Sequence, residues 1–361
     1  MPRYEITDDL SRERLERFDA IIDVRSPSEF AEDHLPGAIN LPVLDDTERA
    51  DIGTQYKQVS TFDARKHGAA LVAKNIAHHI DTELAEMPAD FRPLIYCWRG
   101  GMRSESMALI LSSIGWKVAV LKGGYRTWRR GVVDALEHSV APFPLVLIDG
   151  HTGSGKTAIL TKLAENGEQV VDLEGLAQHR GSVFGGFGHA EQPSQKRFDS
   201  GIWDVLRGFD HRRPIYVEAE SSLVGRRRVP NRLWAAMKAA PRIEIQAPPA
   251  ARAEFLVRAY PDLLADGERL IAAIERLAPQ HGNDRIAQWR GLAHAGEYTA
   301  LAESLVTDHY DPAYARSKAR HGGEVLVALE TDGLDDSALS KLAEAVAENG
   351  SRALERTPSL A

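Results

Sequence analysis

The chain contains a single cysteine, Cys97, in 361 residues. One cysteine excludes an intrachain disulfide and any multi-cysteine metal site, and leaves two readings: a small buried hydrophobe or a lone reactive thiol. Thirteen histidines do not supply a zinc site instead. Their only close pair, His78 and His79, is adjacent and would point in different directions on a helix, so no zinc is expected. Long apolar runs are also missing. No stretch of about 18 apolar residues occurs and the first residues carry no apolar h-region, so neither a membrane span nor a signal peptide is expected and a cytoplasmic location follows. Net positive charge is lacking as well. A formal charge of -8 argues on totals against a nucleic-acid partner, because phosphate contacts need Lys and Arg. Totals hide distribution, however. Arg126, Arg129 and Arg130 form one basic cluster, and Arg226, Arg227, Arg228 and Arg232 another; each is either a solvated surface or a patch for a polyanion.

What is present is the composition of a soluble globular protein, 43% hydrophobic and 27% charged. The length calls for two domains. Up to residue 138 short apolar runs alternate with amphipathic stretches, the layout of an α/β domain. Strands are expected at 20–24, 93–97 and 117–121, and a helix at 104–113. Ala141-Pro-Phe-Pro144 is the expected connector, since two prolines one residue apart disfavour helix. A second α/β domain, 139–361, then has expected strands at 145–149, 169–173, 215–218, 242–246 and 325–329. Its segment from about 250 to 307 is rich in Ala, Leu, Arg and Glu and is expected to be helical.

Cys97 stands at a strand-to-helix turn, followed by Trp98, Arg99, Gly100, Gly101, Met102, Arg103 and Ser104. Backbone N–H groups curling around a sulfur at a helix N-terminus, with Arg99 or Arg103 nearby, favour a thiolate, which is the attacking species in cysteine chemistry. The same cradle suits a phosphate-like group carried on the sulfur.

Gly150-His-Thr-Gly153-Ser154-Gly155-Lys156-Thr157 satisfies the Walker A pattern, directly after one expected strand and at the head of an expected helix. The glycines let the backbone wrap phosphate oxygens, Lys156 reaches the terminal phosphates, and Thr157 is placed to ligate magnesium. Downstream, Asp172, Glu218 and Glu220 fall at the carboxyl ends of expected strands, where ligands and metals bind in such sheets, and are either site carboxylates or caps. Arg180 is either a diphosphate clamp or a surface residue.

Three blocks in order resemble the rhodanese family: Asp23-Val-Arg25 with Glu29-Phe30 and His34-Leu-Pro-Gly37-Ala-Ile-Asn40; the Cys97 loop; and Leu121-Lys-Gly123-Gly124-Tyr-Arg-Thr-Trp128. This implies a rhodanese-like α/β domain, followed by a P-loop NTPase-like α/β domain with a helical segment. The Cys97 loop is one residue longer than in ordinary sulfurtransferases, and matches the spacing of the cysteine-dependent phosphatases of this fold. A wider loop implies a group larger than sulfur.

The whole combination resembles the tRNA 2-selenouridine synthase family. The likeness includes Asp172-Leu-Glu-Gly-Leu-Ala-Gln-His-Arg-Gly-Ser-Val-Phe-Gly185, Glu218-Ala-Glu-Ser221 and Tyr310-Asp-Pro-Ala-Tyr314. It implies a transferase that converts wobble 2-thiouridine in tRNA to 2-selenouridine with selenophosphate, through an S-geranyl intermediate made from geranyl diphosphate. Cys97, Arg99 and Arg103 would then handle selenium. Gly150, Gly153, Ser154, Gly155, Lys156, Thr157 and Arg180 would hold the diphosphate, and the two basic clusters become tRNA-contact candidates. No permanently bound cofactor is implied; magnesium and a selenophosphate-supplying enzyme are compatible partners. The alternatives are an ATP-dependent kinase and phosphatase hybrid, which would turn over ATP or a phosphomonoester without tRNA, and a non-catalytic chalcogen carrier.

Overall fold

The computed structural model describes residues 4–138, 143–180, 191–219, 221–321 and 325–356. The chain divides into two compact units, Met1–Ser139 with Ser194–Gly208, and Val140–Pro193 with Phe209–Ala361. Of the expected connector Ala141–Pro144, residues 141 and 142 lie outside the described residues. No described helix is long and apolar enough to cross a membrane.

The first unit is built on five parallel strands, β1 (Glu5–Thr7), β2 (Ala20–Asp23), β3 (Ala38–Asn40), β4 (Pro93–Tyr96) and β5 (Ala119–Leu121), in the order β1-β5-β4-β2-β3. Every residue of β4 and β5 is buried. Parallel strands covered on both faces are continuous apolar runs, which is why the three inner strands are legible in sequence. The edge strands β1 and β3, three residues each and partly exposed, carry no such signal. Two helices, Asp46–Gln58 and Thr61–Asp81, lead from β3 towards β4. Asp45 and Glu48 form a capping box at the first, and Ser60 Oγ accepts from Asp63 N at 3.2 Å to start the second. No residue of Asp46–Gln58 is fully buried.

Helix Gln195–Leu206 corrects the expected division of the chain at 138/139, because it packs into the first unit. Phe198, Ile202 and Leu206 are wholly buried on it. Its small Ser200 lets two groups approach: Trp128 Nε1 donates to Ser200 Oγ at 3.1 Å, and Ser200 Oγ donates to Asp33 Oδ2 at 2.9 Å. Tyr125 OH donates to the same carboxylate oxygen at 2.7 Å, and Arg129 pairs with Asp199 at 2.7 Å. Burial pushes the Asp33 carboxyl above its ordinary range, outweighing these hydrogen bonds.

The second unit has a parallel sheet of β6 (Leu145–Gly150), β7 (Gln169–Val171), β8 (Ile215–Glu218), β11 (Arg242–Gln246) and β12 (Val325–Glu330), ordered β12-β11-β6-β8-β7. A short hairpin, β9 (Leu223–Val224) with β10 (Arg227–Arg228), stands apart from it. The Walker strand β6 lies in the middle, buried along its whole length, and ends in the phosphate loop. Between β11 and β12 the chain is helical from Pro249 to His321. This segment has a core of its own, with Leu270, Ile274, Trp289, Leu301 and Leu305 buried together. The expected helical stretch is therefore present and runs beyond its expected end.

Candidate active sites

Cys97 leaves the buried end of β4 and is itself buried. Its loop ends at helix Met102–Ile114. Gly101 N donates to Sγ at 3.3 Å, and Ser104 Oγ lies 3.3 Å from Sγ and 3.0 Å from Gly101 O. Burial raises the thiol pKa, but hydrogen bonds from Gly101 N, Ser104 and the Arg99 N–H outweigh it, and the net direction is downward. Two backbone positions keep the loop tight. Gly124 has φ +60, and a Cβ there would collide with Cys97 O; Gly100 has φ +64, and a Cβ would lie 2.7 Å from Leu121 O. Tyr125 N also donates to Cys97 O at 2.8 Å. The Gly123-Gly124-Tyr125 turn and the cysteine loop thus interlock, which explains glycine in both motifs.

The two arginines of the loop are placed differently. Arg99 contributes through its backbone N–H. The Arg103 guanidinium is held by Glu29 Oε2 at 3.0 Å, and Arg49 reaches the same oxygen at 3.0 Å. In the early motif, Arg25 is buried, with Nη2 2.6 Å from Asp23 Oδ2 and 2.6 Å from Asp33 O, and its guanidinium 4.1 Å from the centre of the Tyr125 ring. Asp23 and Arg25 therefore brace the loop ends.

In the second unit, β6 runs into the phosphate loop and helix Lys156–Glu165 follows. Lys156 Nζ donates to Gly150 O at 2.9 Å, folding across the loop. Thr157 Oγ1 donates to Glu174 Oε2 at 3.0 Å, and buried Glu218 accepts the Glu174 N–H at 2.8 Å. Asp172 caps helix Leu173–Ala177 by accepting from Gly175 N at 2.7 Å. A 390 Å³ pocket is lined by the loop residues Gly153 to Thr157 with Asp172, Glu174 and Arg180. Arg180 is 3.0 Å from Asp262 and stacks 4.6 Å from the Tyr260 ring centre. Thr152, Leu256 and Tyr260 line this pocket and also a second, 70 Å³ cavity whose other walls include Leu263, Leu270, Tyr298, Leu301 and Leu305. A phosphate cradle and an apolar cavity thus share walls.

The profile of the tRNA 2-selenouridine synthase AAA domain matches residues 143–288, and that of the rhodanese-like domain matches 7–130. A tRNA 2-selenouridine synthase from Marinobacter nauticus is 32% identical over 339 residues, covering 85% of this chain and 90% of its own length. The chain belongs to the tRNA 2-selenouridine synthase family. Enzymes so named from Aeromonas salmonicida (37% identity, 72% of this chain and 69% of that one) and Alcanivorax borkumensis (32% identity, 85% and 91%) are also similar over most of the chain.

Placed on this family fold, the sequence-predicted residues separate. Gly150, Gly153, Ser154, Gly155, Lys156 and Thr157 come together in one loop, with Arg180 on the wall of its pocket. Of the carboxylates, Asp172 caps a helix and Glu218 holds a backbone N–H. Glu220 and the stretch 181–190 lie outside the described residues. Glu174, which has no separate role in the sequence reading, is the carboxylate that meets Thr157. The late Tyr310-Asp-Pro-Ala-Tyr314 motif gains a position too. Asp311 accepts from His151 Nδ1 at 2.7 Å and from both Arg252 amino nitrogens at 2.8 and 2.7 Å, while Tyr314 OH donates to Asp149 at 2.7 Å. These contacts fix both shoulders of the phosphate loop, and Arg252, at 4% exposure, carried no signal in sequence. Among the basic clusters, Arg126 and Arg130 are exposed, whereas Arg129 is taken up by Asp199. Arg226 and Arg228 are exposed on the β9–β10 hairpin and Arg227 is half-buried.

Proposed function

We propose that this chain converts wobble 2-thiouridine of tRNA to 2-selenouridine in two steps, S-geranylation from geranyl diphosphate and replacement of the alkylated sulfur with selenium from selenophosphate. The observation that carries the choice of a prenyl diphosphate over a nucleotide is the apolar cavity sharing Thr152, Leu256 and Tyr260 with the phosphate pocket. A nucleotide base needs polar partners for its edges, whereas a hydrocarbon chain needs only apolar walls.

In the first step the base sulfur attacks C1 of the prenyl chain, a C–S bond forms, the C–O bond breaks and the electron pair leaves on diphosphate, while the N3 proton of the base passes to water. The backbone from Gly153 to Gly155, Lys156 and the helix N-terminus hold that leaving group, and Arg180 faces the same pocket. Thr157 and Glu174 present hard oxygen ligands side by side, a set that fits magnesium; such an ion would supply charge neutralisation on the diphosphate. Alkylation turns the sulfur into a better leaving group. In the second step the Cys97 cradle handles selenophosphate or selenium derived from it, using a thiol whose charge Gly101 N–H and Ser104 stabilise. Exposed Arg126, Arg130, Arg226 and Arg228 are the tRNA contacts of this scheme. The tRNA is the macromolecular partner, a selenophosphate-supplying enzyme the upstream one, and the cytoplasm the site of action.

The test supplies the purified chain with 2-thiouridine tRNA, magnesium and either geranyl diphosphate or ATP. Nucleoside mass spectrometry is expected to find S-geranyl-2-thiouridine with the former only. ATP hydrolysis with unmodified tRNA would instead make the chain a nucleotide-using enzyme.

A further inference from the structure

A large cavity of the first unit takes no part in the scheme above. It is a 1020 Å³ groove between helices Asp46–Gln58, Thr61–Asp81 and Met102–Ile114. Its walls include Ile52, Tyr56, Val72, Ile76, Leu109 and Ile110, and it is bounded by Met102 and Arg103. Those two residues sit between Gly101 and Ser104, the pair that contacts Cys97 Sγ. The rim of the groove thus adjoins, along the chain, the residues that contact the buried thiol, while Cys97 itself is not among the groove's walls. Several of its apolar side chains are unusually exposed: Tyr56 at 47%, Leu109 at 53% and Met102 at 71%. Clustered exposure of this kind marks a binding surface. Arg49, Lys57, Arg65 and Arg103 add positive charge to the same lining; Glu29 pairs with Arg49 and Arg103. An apolar floor with a cationic border complements a hydrocarbon joined to a polyanion.

We propose that this groove binds the prenyl chain of the S-alkylated nucleoside while selenium is exchanged at the Cys97 site. The inference rests on the two-step function proposed above. At C2 of the base a C–Se bond forms and the C–S bond breaks, and the electron pair leaves on the prenyl thiolate, which takes a proton from water. The Cys97 thiolate attacks the phosphorus of selenophosphate, an S–P bond forms and the P–Se bond breaks to release hydrogen selenide, whose proton passes to N3, and water then splits the S–P bond into phosphate and the thiol. Selenium stays at the selenide level throughout, so no oxidant or reductant is consumed. Holding the departing chain in the groove binds the alkylated substrate and not plain 2-thiouridine, which gives the second step its specificity.

The experiment uses the full chain, selenophosphate and RNA stem-loops carrying 2-S-methyl-, 2-S-hexyl- or 2-S-geranyl-thiouridine, and measures kcat/KM for 2-selenouridine formation. Each buried methylene favours binding by about fourfold, so three or four of them give a geranyl preference over methyl on the order of 100-fold. Leu109→Glu places a charge on an already exposed position, and Ala73→Trp fills the groove from another helix. Either is expected to reduce the geranyl-to-methyl ratio to about tenfold or less. The ratio is internal to each preparation, so partial loss of folded protein does not alter it. A wild-type ratio near one, or a ratio unchanged in both variants, overturns the groove assignment while leaving two-step chemistry intact. Selenation of 2-thiouridine RNA with none of any S-alkyl RNA would overturn the two-step function and the groove together.

Discussion

Ser104→Ala tests the account of the Cys97 thiolate. Ser104 is wholly buried and its hydroxyl lies 3.3 Å from Sγ. A hydrogen bond to a charged group contributes about 1.5 kcal/mol at the low end, roughly a tenfold change in the thiol-to-thiolate ratio. Well below the thiol midpoint the thiolate population should therefore fall about tenfold. The remaining thiolate is more basic and more nucleophilic; with a Brønsted slope near 0.45 it reacts roughly threefold faster, so the observed rate falls about threefold. Above the midpoint, where both proteins are fully ionised, the variant should react about threefold faster. The assay is iodoacetamide alkylation from pH 5 to 10, with intact-mass detection at the single cysteine. Crossing profiles and a midpoint displaced upward are the expected result. A variant that merely admits the reagent more easily would raise both limbs equally with no displacement, and would refute the assignment of Ser104 as a thiolate donor.

Two further outcomes follow from the first unit. Gly124→Ala forces a side chain into a glycine-only backbone region and onto Cys97 O, and should cost about 3 kcal/mol or more in urea unfolding; a loss below about 1 kcal/mol would contradict the interlocked loops. Asp33→Asn probes the buried carboxyl against helix Gln195–Leu206. Because the folded state raises this pKa, it binds the proton more tightly than the unfolded chain, and wild-type stability relative to the variant should fall as pH rises from the ordinary carboxylate range upward. Urea midpoints of both proteins from pH 4 to 7 check the sign. A relative gain with rising pH would mean that Arg129 and Arg197 hold the carboxylate charged.

Much of this architecture is legible in sequence wherever one physical demand dominates. Strands β4, β6 and β8 are buried throughout and appear as apolar runs, and the Walker loop is fixed by the need for backbone to wrap phosphate. Elements held by tertiary contacts are not legible in this way. Helix Gln195–Leu206 follows the Walker motif in the chain but joins the first unit through Ser200, Asp33 and Trp128, a triad separated by 72 and 167 residues. Glu174 and Arg252 gain their roles only when β8 and Asp311 meet them. For Cys97 the sequence pointed to backbone N–H groups with arginine charge beside them; in the folded loop the Gly101 and Arg99 N–H groups lower the thiol pKa together with Ser104, which carried no signal in sequence, and Glu29 engages Arg103. A motif names the residues near a sulfur but not which atoms face it.

The central claim is that two chemistries on one substrate are divided between Cys97 and the Lys156 loop. Its most direct test incubates wild type, Cys97→Ser and Lys156→Ala with 2-thiouridine tRNA, geranyl diphosphate, magnesium and selenophosphate, followed by nucleoside mass spectrometry. Cys97→Ser should accumulate S-geranyl-2-thiouridine without 2-selenouridine, and Lys156→Ala should form little of either yet selenate tRNA that is already geranylated. Identical nucleoside profiles from the two variants would contradict the division of labour.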